Sequence, residues 1–308
     1  MTILARSRRL ARAALLGAAL PLIATHGASA TTEVEVFGPG TISVQGESLY
    51  KGTFTPDGRE FLFFRKVGDA GEDFRIYRSG LGDDGWGSPE LLDLGAPGSS
   101  DLYPAVSPDG RWLVFSSYRP FPGDTTSSPN ANLWFSAREG DGWRAPHPML
   151  GASVPANYDA GPWFDSASWL HYHTTLPDWS QTFAMRVAPG ATLAEGASSM
   201  DPLIEPFADW REGLHVWSGT PSPDGSLMIL DVSEIDAEGR RGPTDLWAVW
   251  RHEGEWTEPR RLDDEVNRPE SYENFVVFSP DGGDLFFVRG FATYYRLPVD
   301  RLPATAGR

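Results

Sequence analysis

The sequence contains no cysteine. This absence excludes disulfide bonds, thiolate catalysis and the attachment of a lipid through an N-terminal cysteine. A hydrophobic core must therefore hold the fold by itself, and 308 residues are enough to build one large domain. No cofactor is expected from the composition.

Basic residues are also scarce relative to acidic ones. The chain has 26 lysines and arginines against 42 aspartates and glutamates, which gives a formal net charge of −16. Such an acidic surface repels phosphate backbones and anionic lipids, so we expect no nucleic-acid partner. Solubility explains the acidity more simply than a specific cationic ligand does.

After residue 30 the chain lacks any apolar run long enough to span a membrane. The first residues differ, because arginines precede an apolar stretch from Ala13 to Ala24 and small residues follow at Ala28 to Ala30. This order predicts a cleaved signal peptide over residues 1–30, since the stretch is shorter than the about 20 residues a bilayer requires. The domain over residues 31–308 is then expected to be periplasmic or secreted, with no membrane insertion after cleavage.

Helical periodicity is missing as well, and a repeated turn motif stands in its place. Thr-Pro-Asp-Gly or Ser-Pro-Asp-Gly precedes an apolar run four times, with aspartates at Asp57, Asp109, Asp224 and Asp281. The spacings are 52, 115 and 57 residues, and the doubled middle spacing predicts a degenerate copy near residue 165. The segment "NYDAGPWFDSASWLHYHTT" from Asn157 fits that copy, which makes five units.

The aspartates of these motifs suit a turn better than a reaction. Proline presets the φ angle of the second turn position, aspartate favours the third, and glycine accepts the left-handed conformation that follows. An active site has no need of the same carboxylate in four repeats. We therefore interpret the motif as the hairpin between the first two strands of each unit.

Each unit also predicts about four short strands. Three units continue with a Gly-rich turn, a tryptophan and a strand-like run behind a proline, and these tryptophans are Trp86, Trp143 and Trp256. Five such units predict an all-β, single β-propeller with five blades, with six as the alternative. We expect the segment from Glu33 to Gly40 to close the ring as the outermost strand of the last blade, and the protein to be a monomer.

Several stretches resemble a known group of proteins. They are "VFGPGTIS" from Val36, "WTEP" from Trp256 and "NRPESYENFVVFSPDG" from Asn267, together with the Ser-Pro-Asp-Gly units. In these features the chain resembles exported TolB-like proteins built of WD-like β-propeller repeats. The resemblance covers nearly all of the chain after residue 30 and implies a propeller fold, but it implies no activity because that group is uncharacterised.

The ends of the predicted first strands gather polar residues on one face of the propeller. Tyrosines and carboxylates there, ringed by arginines from the ends of the second strands, predict a binding face for a polar ligand. Packing explains the repeated tyrosines about as well. The candidate residues are Tyr50, Arg65, Tyr103, Arg119, Tyr158, Asp159, His173, His215, Tyr272, Glu273 and Arg289.

Two classes of function follow from these residues. The leading hypothesis is a non-enzymatic binding propeller of the cell envelope, whose partner is a protein or a polar glycan. The alternative is an exported glycoside hydrolase that uses Asp159 and Glu273 as channel carboxylates. The sequence has no G-x-S-x-G elbow, and His171 with His173 lacks a third ligand, so we predict neither a serine nucleophile nor a metal site.

Overall fold

The structure is a computed structural model that describes residues 34–67, 73–95, 98–149, 156–175, 182–187, 207 and 210–303. The predicted signal peptide over residues 1–30 lies outside the described residues, so its cleavage stays a prediction. In the part of the chain that is described, no helix is long and apolar enough to cross a membrane.

Short β-strands account for most of the described chain, and a 3-10 helix, Val299–Arg301, follows the last of them. In chain order the strands are β1 (Glu35–Val36), β2 (Leu49–Phe54), β3 (Glu60–Lys66), β4 (Phe74–Gly82), β5 (Gly85–Trp86), β6 (Glu90–Leu91), β7 (Asp101–Val106), β8 (Trp112–Ser117), β9 (Asn132–Glu139), β10 (Gly142–Trp143), β11 (His147–Pro148), β12 (Tyr158–Phe164), β13 (Leu170–Thr175), β14 (Thr182–Val187), β15 (Leu214–Pro221), β16 (Leu227–Ile235), β17 (Arg241–His252), β18 (Glu255–Trp256), β19 (Arg260–Arg261), β20 (Glu273–Phe278), β21 (Asp284–Arg289) and β22 (Thr293–Pro298).

The strands pair antiparallel into separate sheets, one for each sequence unit. These are β2 to β6, β7 to β11, β12 to β14, β15 to β19, and β20 to β22 with β1. Within the described residues, four of the sheets have four or five strands, whereas the sheet of the degenerate unit has three. The last strand position is split into two pieces in three sheets, and Pro89, Pro146 or Pro259 precedes the second piece. Proline has no N–H for the ladder, which explains the break.

The Pro-Asp-Gly motifs form the hairpin turns predicted for them. In the turn at Asp224, the Ser222 hydroxyl donates to the Asp224 carboxylate at 2.6 Å and the Ser226 amide donates to it at 3.0 Å. Gly225 takes a φ of 69°. These donors stabilise the charged carboxylate, the Ser222 hydroxyl most strongly, and lower the pKa of Asp224.

The degenerate unit builds the same turn from different residues. Asp165 stands where the other units have serine or threonine, and its carboxylate accepts the Ala167 and Trp169 amides, each at 2.9 Å. Ser168 takes the left-handed position with a φ of 65°. Asp165 therefore accepts the amides that the serine and aspartate side chains accept in the motif turns, and Ser168 takes the conformation of the motif glycine.

The sheets are arranged with their first strands inward, which is the β-propeller arrangement expected from the repeats. Strand β2 lies against β7 and β20, and β7 lies against β12. First-strand residues from every sheet line a cavity at one side of the assembly and a second cavity at the side of the Pro-Asp-Gly turns. The all-β class predicted from the sequence is confirmed.

The N-terminal strand is the outermost strand of the last sheet. Glu35 is opposite Arg296 and Val36 is opposite Tyr295. The next residue, Phe37, is 6% exposed and its ring lies 4.7 Å from that of Phe286. The two ends of the described chain are therefore joined by both backbone pairing and core packing.

Truncation of Phe37 tests how much the packing of its ring contributes to the free energy of unfolding. We expect Phe37→Ala to lower the free energy of unfolding by about 3 to 5 kcal/mol, because it empties an aromatic cluster between two sheets. Val36→Ala is the matched control: Val36 is 42% exposed, and its change should stay within about 0.5 kcal/mol. Chemical denaturation measures both, and equal losses would contradict this account of β1.

A candidate ligand-binding cavity

A cavity of about 820 Å³ lies at the end of the first strands where the sequence predicts a binding face. Residues from all the sheets line it. Its walls include six aromatic residues, Tyr103, Trp163, Trp217, Tyr272, Phe275 and Phe291. Trp217 is 44% exposed and Tyr272 is 40% exposed, unusual values for such large rings, and both lie at this cavity.

Backbone bulges direct several of these aromatic side chains toward the cavity. In every sheet the pairing between the first and second strands skips a residue, as between Leu102 and Ala105 in β7 and between Asn274 and Val277 in β20. A bulge interrupts the ladder and redirects a side chain. Tyr103 and Phe275 stand inside two of these bulges with φ values of 51° and 56°. Large residues at positive φ are strained, and such strain is concentrated at functional sites.

Three titratable side chains from different sheets line the same cavity: Lys51, His173 and Asp231. Burial lowers the pKa of Lys51 to about 8, against the attraction of Asp231. Burial raises the pKa of Asp231 to about 6, although the Ser218 hydroxyl, Lys51 and a backbone amide favour its charged form. Burial, followed by the charge of Lys51, lowers the pKa of His173 to about 4. At neutral pH His173 is therefore uncharged, and Lys51 and Asp231 carry opposite charges.

Lys51 and Asp231 do not neutralise each other by contact. No described residue forms a hydrogen bond or an ion pair within 4.0 Å with Lys51, although the Asp231 charge influences its pKa. The Asp231 Oδ2 atom accepts the Ser218 hydroxyl at 2.8 Å, whereas Oδ1 is buried with no partner in hydrogen-bond geometry. Thr244 Oγ1 and Asn274 Oδ1 belong to residues that line the cavity, and these two atoms have no partner either.

Such atoms are expensive to bury. A buried polar atom without a hydrogen bond costs about 1 to 3 kcal/mol. Asp231 is 6% exposed, and Thr244 and Asn274 are 7% exposed. Their side chains therefore present unmet hydrogen-bonding capacity beside an empty volume large enough for a small ligand.

The predicted arginines do not line this cavity. Arg119 forms an ion pair with Asp101 at 2.9 Å and Arg289 forms one with Glu273 at 2.8 Å, each between the first and second strands of one sheet. Arg65 pairs with Glu47 in the equivalent place. With Arg119 only 4% and Arg289 9% exposed, these arginines stabilise the strand ends. Their role in binding a ligand stays a prediction.

The predicted carboxylates are likewise internal. Asp159 and Glu273 are 0% exposed, and neither is among the residues that line the cavity. Burial raises the pKa of Glu273, while the Ser271 hydroxyl and then Arg289 oppose that rise. Both residues occupy equivalent first-strand positions in β12 and β20, which accounts for their match in the sequence.

The remaining candidates divide into two groups. Tyr103, His173 and Tyr272 line the cavity, as the predicted binding face requires. His215 packs edge-on against Trp217, with 4.6 Å between ring centroids. Tyr50 and Tyr158 do not line the cavity. The Tyr50 ring stacks on that of Phe64 at 5.0 Å, and Tyr158 forms a hydrogen bond with Tyr103.

His171 serves the fold of its own sheet. Its Nε2 atom lies 3.0 Å from Asp165 Oδ2, and its ring stacks on Trp163 at 4.1 Å. The His171 ring therefore contacts the turn through Asp165 and packs behind the cavity wall through Trp163. Within the described residues no group of three or more potential metal-ligating side chains occurs.

Sequence reasoning missed Lys51, Asp231 and the aromatic wall residues Trp163 and Trp217. Two signals were present. Lys51 is one of only two lysines among the 26 lysines and arginines of the sequence, and Asp231 interrupts the apolar run "LMILDV" inside a predicted buried strand. The register that brings these residues together depends on bulges, which the repeat pattern does not display.

Comparison with known proteins adds information on the fold. No protein-family profile and no curated protein matches the sequence. The solved structure of TolB from Acinetobacter baumannii is similar over 82% of this protein and 55% of that one, with 15% identity and a TM-score of 0.44. The arrangement of the described sheets is that of a β-propeller.

Two other solved structures are similar to this protein. A complex of BT0996 with RGII matches 90% of this protein and 93% of that one, at 12% identity and a TM-score of 0.50. The α-L-arabinofuranosidase from Podospora anserina in complex with cellotriose matches 86% and 96%, at 14% identity and a TM-score of 0.46. At such identities the likeness concerns the fold alone.

The burial of Asp231 predicts a gain in stability when its charge is removed. Its pKa of about 6 in the folded state exceeds the usual 3.8, so ionisation costs stability as the pH rises from about 4 through about 6. We expect Asp231→Asn to raise the free energy of unfolding by about 1 to 3 kcal/mol at pH 8. The gain should vanish near pH 4, and urea denaturation at both pH values measures it. Destabilisation at pH 8 would contradict this assignment.

The paired arginines predict the opposite result. Arg119→Met should lower the free energy of unfolding by about 3 to 5 kcal/mol, because it leaves the buried Asp101 carboxylate without its cation. Arg111→Met is the control, since the Arg111 side chain is 76% exposed beside Asp109 and its loss should cost less than about 1 kcal/mol. The same denaturation experiment compares the two, and similar losses would refute a structural role for the buried pair.

Proposed function

We propose that the protein is an exported, non-enzymatic binding propeller of the cell envelope and that its cavity holds a polar glycan. The observation that carries this proposal is the set of buried, unpartnered oxygens of Asp231, Thr244 and Asn274 beside an aromatic-walled cavity. Export rests on the signal-peptide pattern of residues 1–30, which also gives the periplasm or the cell exterior as the location.

The scaffold that we propose for this function is a ring of five blades closed by β1. It is supported by the five sheets of the described chain, by the pairing of β1 with β22, and by cavities lined from every sheet. A closed ring leaves no free sheet edge inside the assembly. It also holds side chains from distant repeats at fixed positions around one ligand.

A glycan fits the cavity walls better than an extended protein surface does. Sugar hydroxyls donate hydrogen bonds, which the unpartnered oxygens of Asp231 and Asn274 accept. The C–H faces of a sugar ring pack against flat aromatic side chains, which Trp163 and Trp217 supply. A concave, partly enclosed volume with a few convergent polar groups is typical of small-ligand sites rather than of protein interfaces.

Hydrolysis of a glycoside is the alternative function. A glycosidase of the usual kind needs two carboxyl groups on either side of the scissile bond. Among the described residues that line the cavity, Asp231 is the single carboxylate. The predicted pair, Asp159 and Glu273, is buried, and Glu273 is engaged by Arg289. Binding without cleavage is therefore the function that these residues favour.

A titration with neutral oligosaccharides tests the proposed function. Tryptophan fluorescence should change on addition of a binding xylo-, gluco- or galacto-oligosaccharide, because Trp163 and Trp217 line the cavity. Trp217→Ala should weaken the binding at least about tenfold, a typical loss for a central aromatic contact. Trp143→Ala is the matched control, since Trp143 lies in β10 beside Arg138 and outside the cavity.

Two results would overturn the proposal. If none of the oligosaccharides binds, the cavity is not a glycan site. If a bound oligosaccharide is cleaved at a rate that Asp231→Asn abolishes, the hydrolase alternative replaces the binding function. Product analysis by mass spectrometry on the same samples distinguishes binding from cleavage.

A further inference from the structure

We infer that the ligand of this cavity is an acidic sugar whose carboxylate is bound by the ammonium group of Lys51. The inference rests on the proposed glycan-binding function and specifies the class of glycan. It starts from the two cations of the cavity, one half-buried and one exposed, which have no carboxylate partner among the described residues.

Lys51 and Arg241 are these cations, and both line the cavity. Lys51 has no ion pair with a described residue, and Arg241 contacts the Trp217 ring, with 4.8 Å from its guanidinium carbon to the ring centroid, but pairs with no described carboxylate. By contrast, the buried Arg119 and Arg289 each have a carboxylate partner. A cation that protein groups leave unneutralised in a partly dry cavity attracts an anionic ligand.

The position of Lys51 strengthens this argument. It stands in the bulge between Leu49 and Gly52 of β2, and its charge influences the pKa of both His173 and Asp231. The ammonium group therefore interacts electrostatically with both side chains and forms no hydrogen bond or ion pair with either. A ligand carboxylate beside Lys51 supplies the missing charge-assisted hydrogen bond, which is about twice as strong as a neutral one.

Asp231 fits the rest of the same ligand. Its buried Oδ1 atom has no donor in hydrogen-bond geometry, although the Phe275 backbone amide is near enough to lower the pKa of the residue, and a hydroxyl group on the sugar ring supplies a donor. An acidic sugar thus presents an anion to Lys51 and a donor to Asp231 from one rigid ring. A neutral sugar leaves Lys51 unsatisfied, and an amino sugar places a second cation beside it.

The charged groups around the bound carboxylate also determine how the affinity for the acidic sugar depends on pH. The groups around the cavity are Lys51, Asp231, His173, His215 and Arg241. Between pH 8.5 and 5.5 Lys51 gains its proton and Asp231 loses its negative charge, while His173 stays neutral above about pH 4. Both changes favour an anion, so affinity for the acidic sugar should increase as the pH falls through this range.

The test compares three sugars that differ in one substituent. Methyl β-D-glucuronide, methyl β-D-glucoside and methyl β-D-glucosaminide are titrated into the protein by isothermal titration calorimetry at pH 6.5. We expect the glucuronide to bind at least about tenfold more tightly than the glucoside, the factor of one charge-assisted hydrogen bond. The preference should grow at pH 5.5 and shrink at pH 8.5.

Substitution of the two lysines separates the cavity cation from general charge. Lys51→Met should reduce the ratio of glucuronide to glucoside affinity to about one, since the methionine keeps the volume and removes the charge. Lys66→Met should leave the ratio unchanged, because Lys66 is exposed at the end of β3 and outside the cavity. Circular dichroism and thermal unfolding establish that both variants are folded.

The possible outcomes test the acidic-sugar inference separately from the proposed glycan-binding function. Equal binding of the three sugars, or a preference that Lys51→Met preserves, overturns the acidic-sugar inference while the proposed glycan-binding function stands. Tighter binding of the glucosaminide overturns it in favour of a cation held by Asp231. Failure of all three sugars and of the neutral oligosaccharides overturns both.

Discussion

In every sheet the first strand pairs with the second in an interrupted register, and this bulge decides which side chains reach the cavity. An uninterrupted ladder would alternate its side chains between the two faces of the sheet. The bulge places Lys51, Tyr103 and Phe275 at the cavity instead, two of them with positive φ. The positions of these three residues depend on this displacement, which the surrounding framework must hold in place.

The framework does so with buried pairs next to the bulges. Asp101 with Arg119 and Glu273 with Arg289 connect the start of a first strand to the end of a second strand, where the bulged segment begins. At the opposite end of the same hairpins, the Pro-Asp-Gly turns close with side-chain hydrogen bonds to their aspartates. The bulges of β7 and β20 are thus bounded on one side by a buried ion pair and on the other by a closed turn.

Charges in this protein therefore have two distinct energetic roles. Those of the framework are paired, so loss of one partner leaves the other charge buried and uncompensated, whereas the half-buried Lys51 and the buried Asp231 have no direct ion pair and reduce the stability of the native state. Groups that cost stability persist where a function requires them. Charged residues that recur at the same position in several repeats are therefore the ones that form the framework pairs. Lys51 and Asp231 do not recur in this way, so comparison of the repeats does not find them.

The sequence by itself determined the strand units, the turns and the all-β propeller arrangement, because Pro-Asp-Gly geometry and apolar runs act locally and recur in each repeat. Three of the residues that it predicted for one face, Tyr103, His173 and Tyr272, line the same cavity. Only the tertiary structure decided that Arg119, Arg289 and Glu273 are internal partners and that Lys51 and Asp231 share a cavity. The physical reason is that those contacts join residues far apart in the sequence, through bulges and sheet packing that no local pattern encodes.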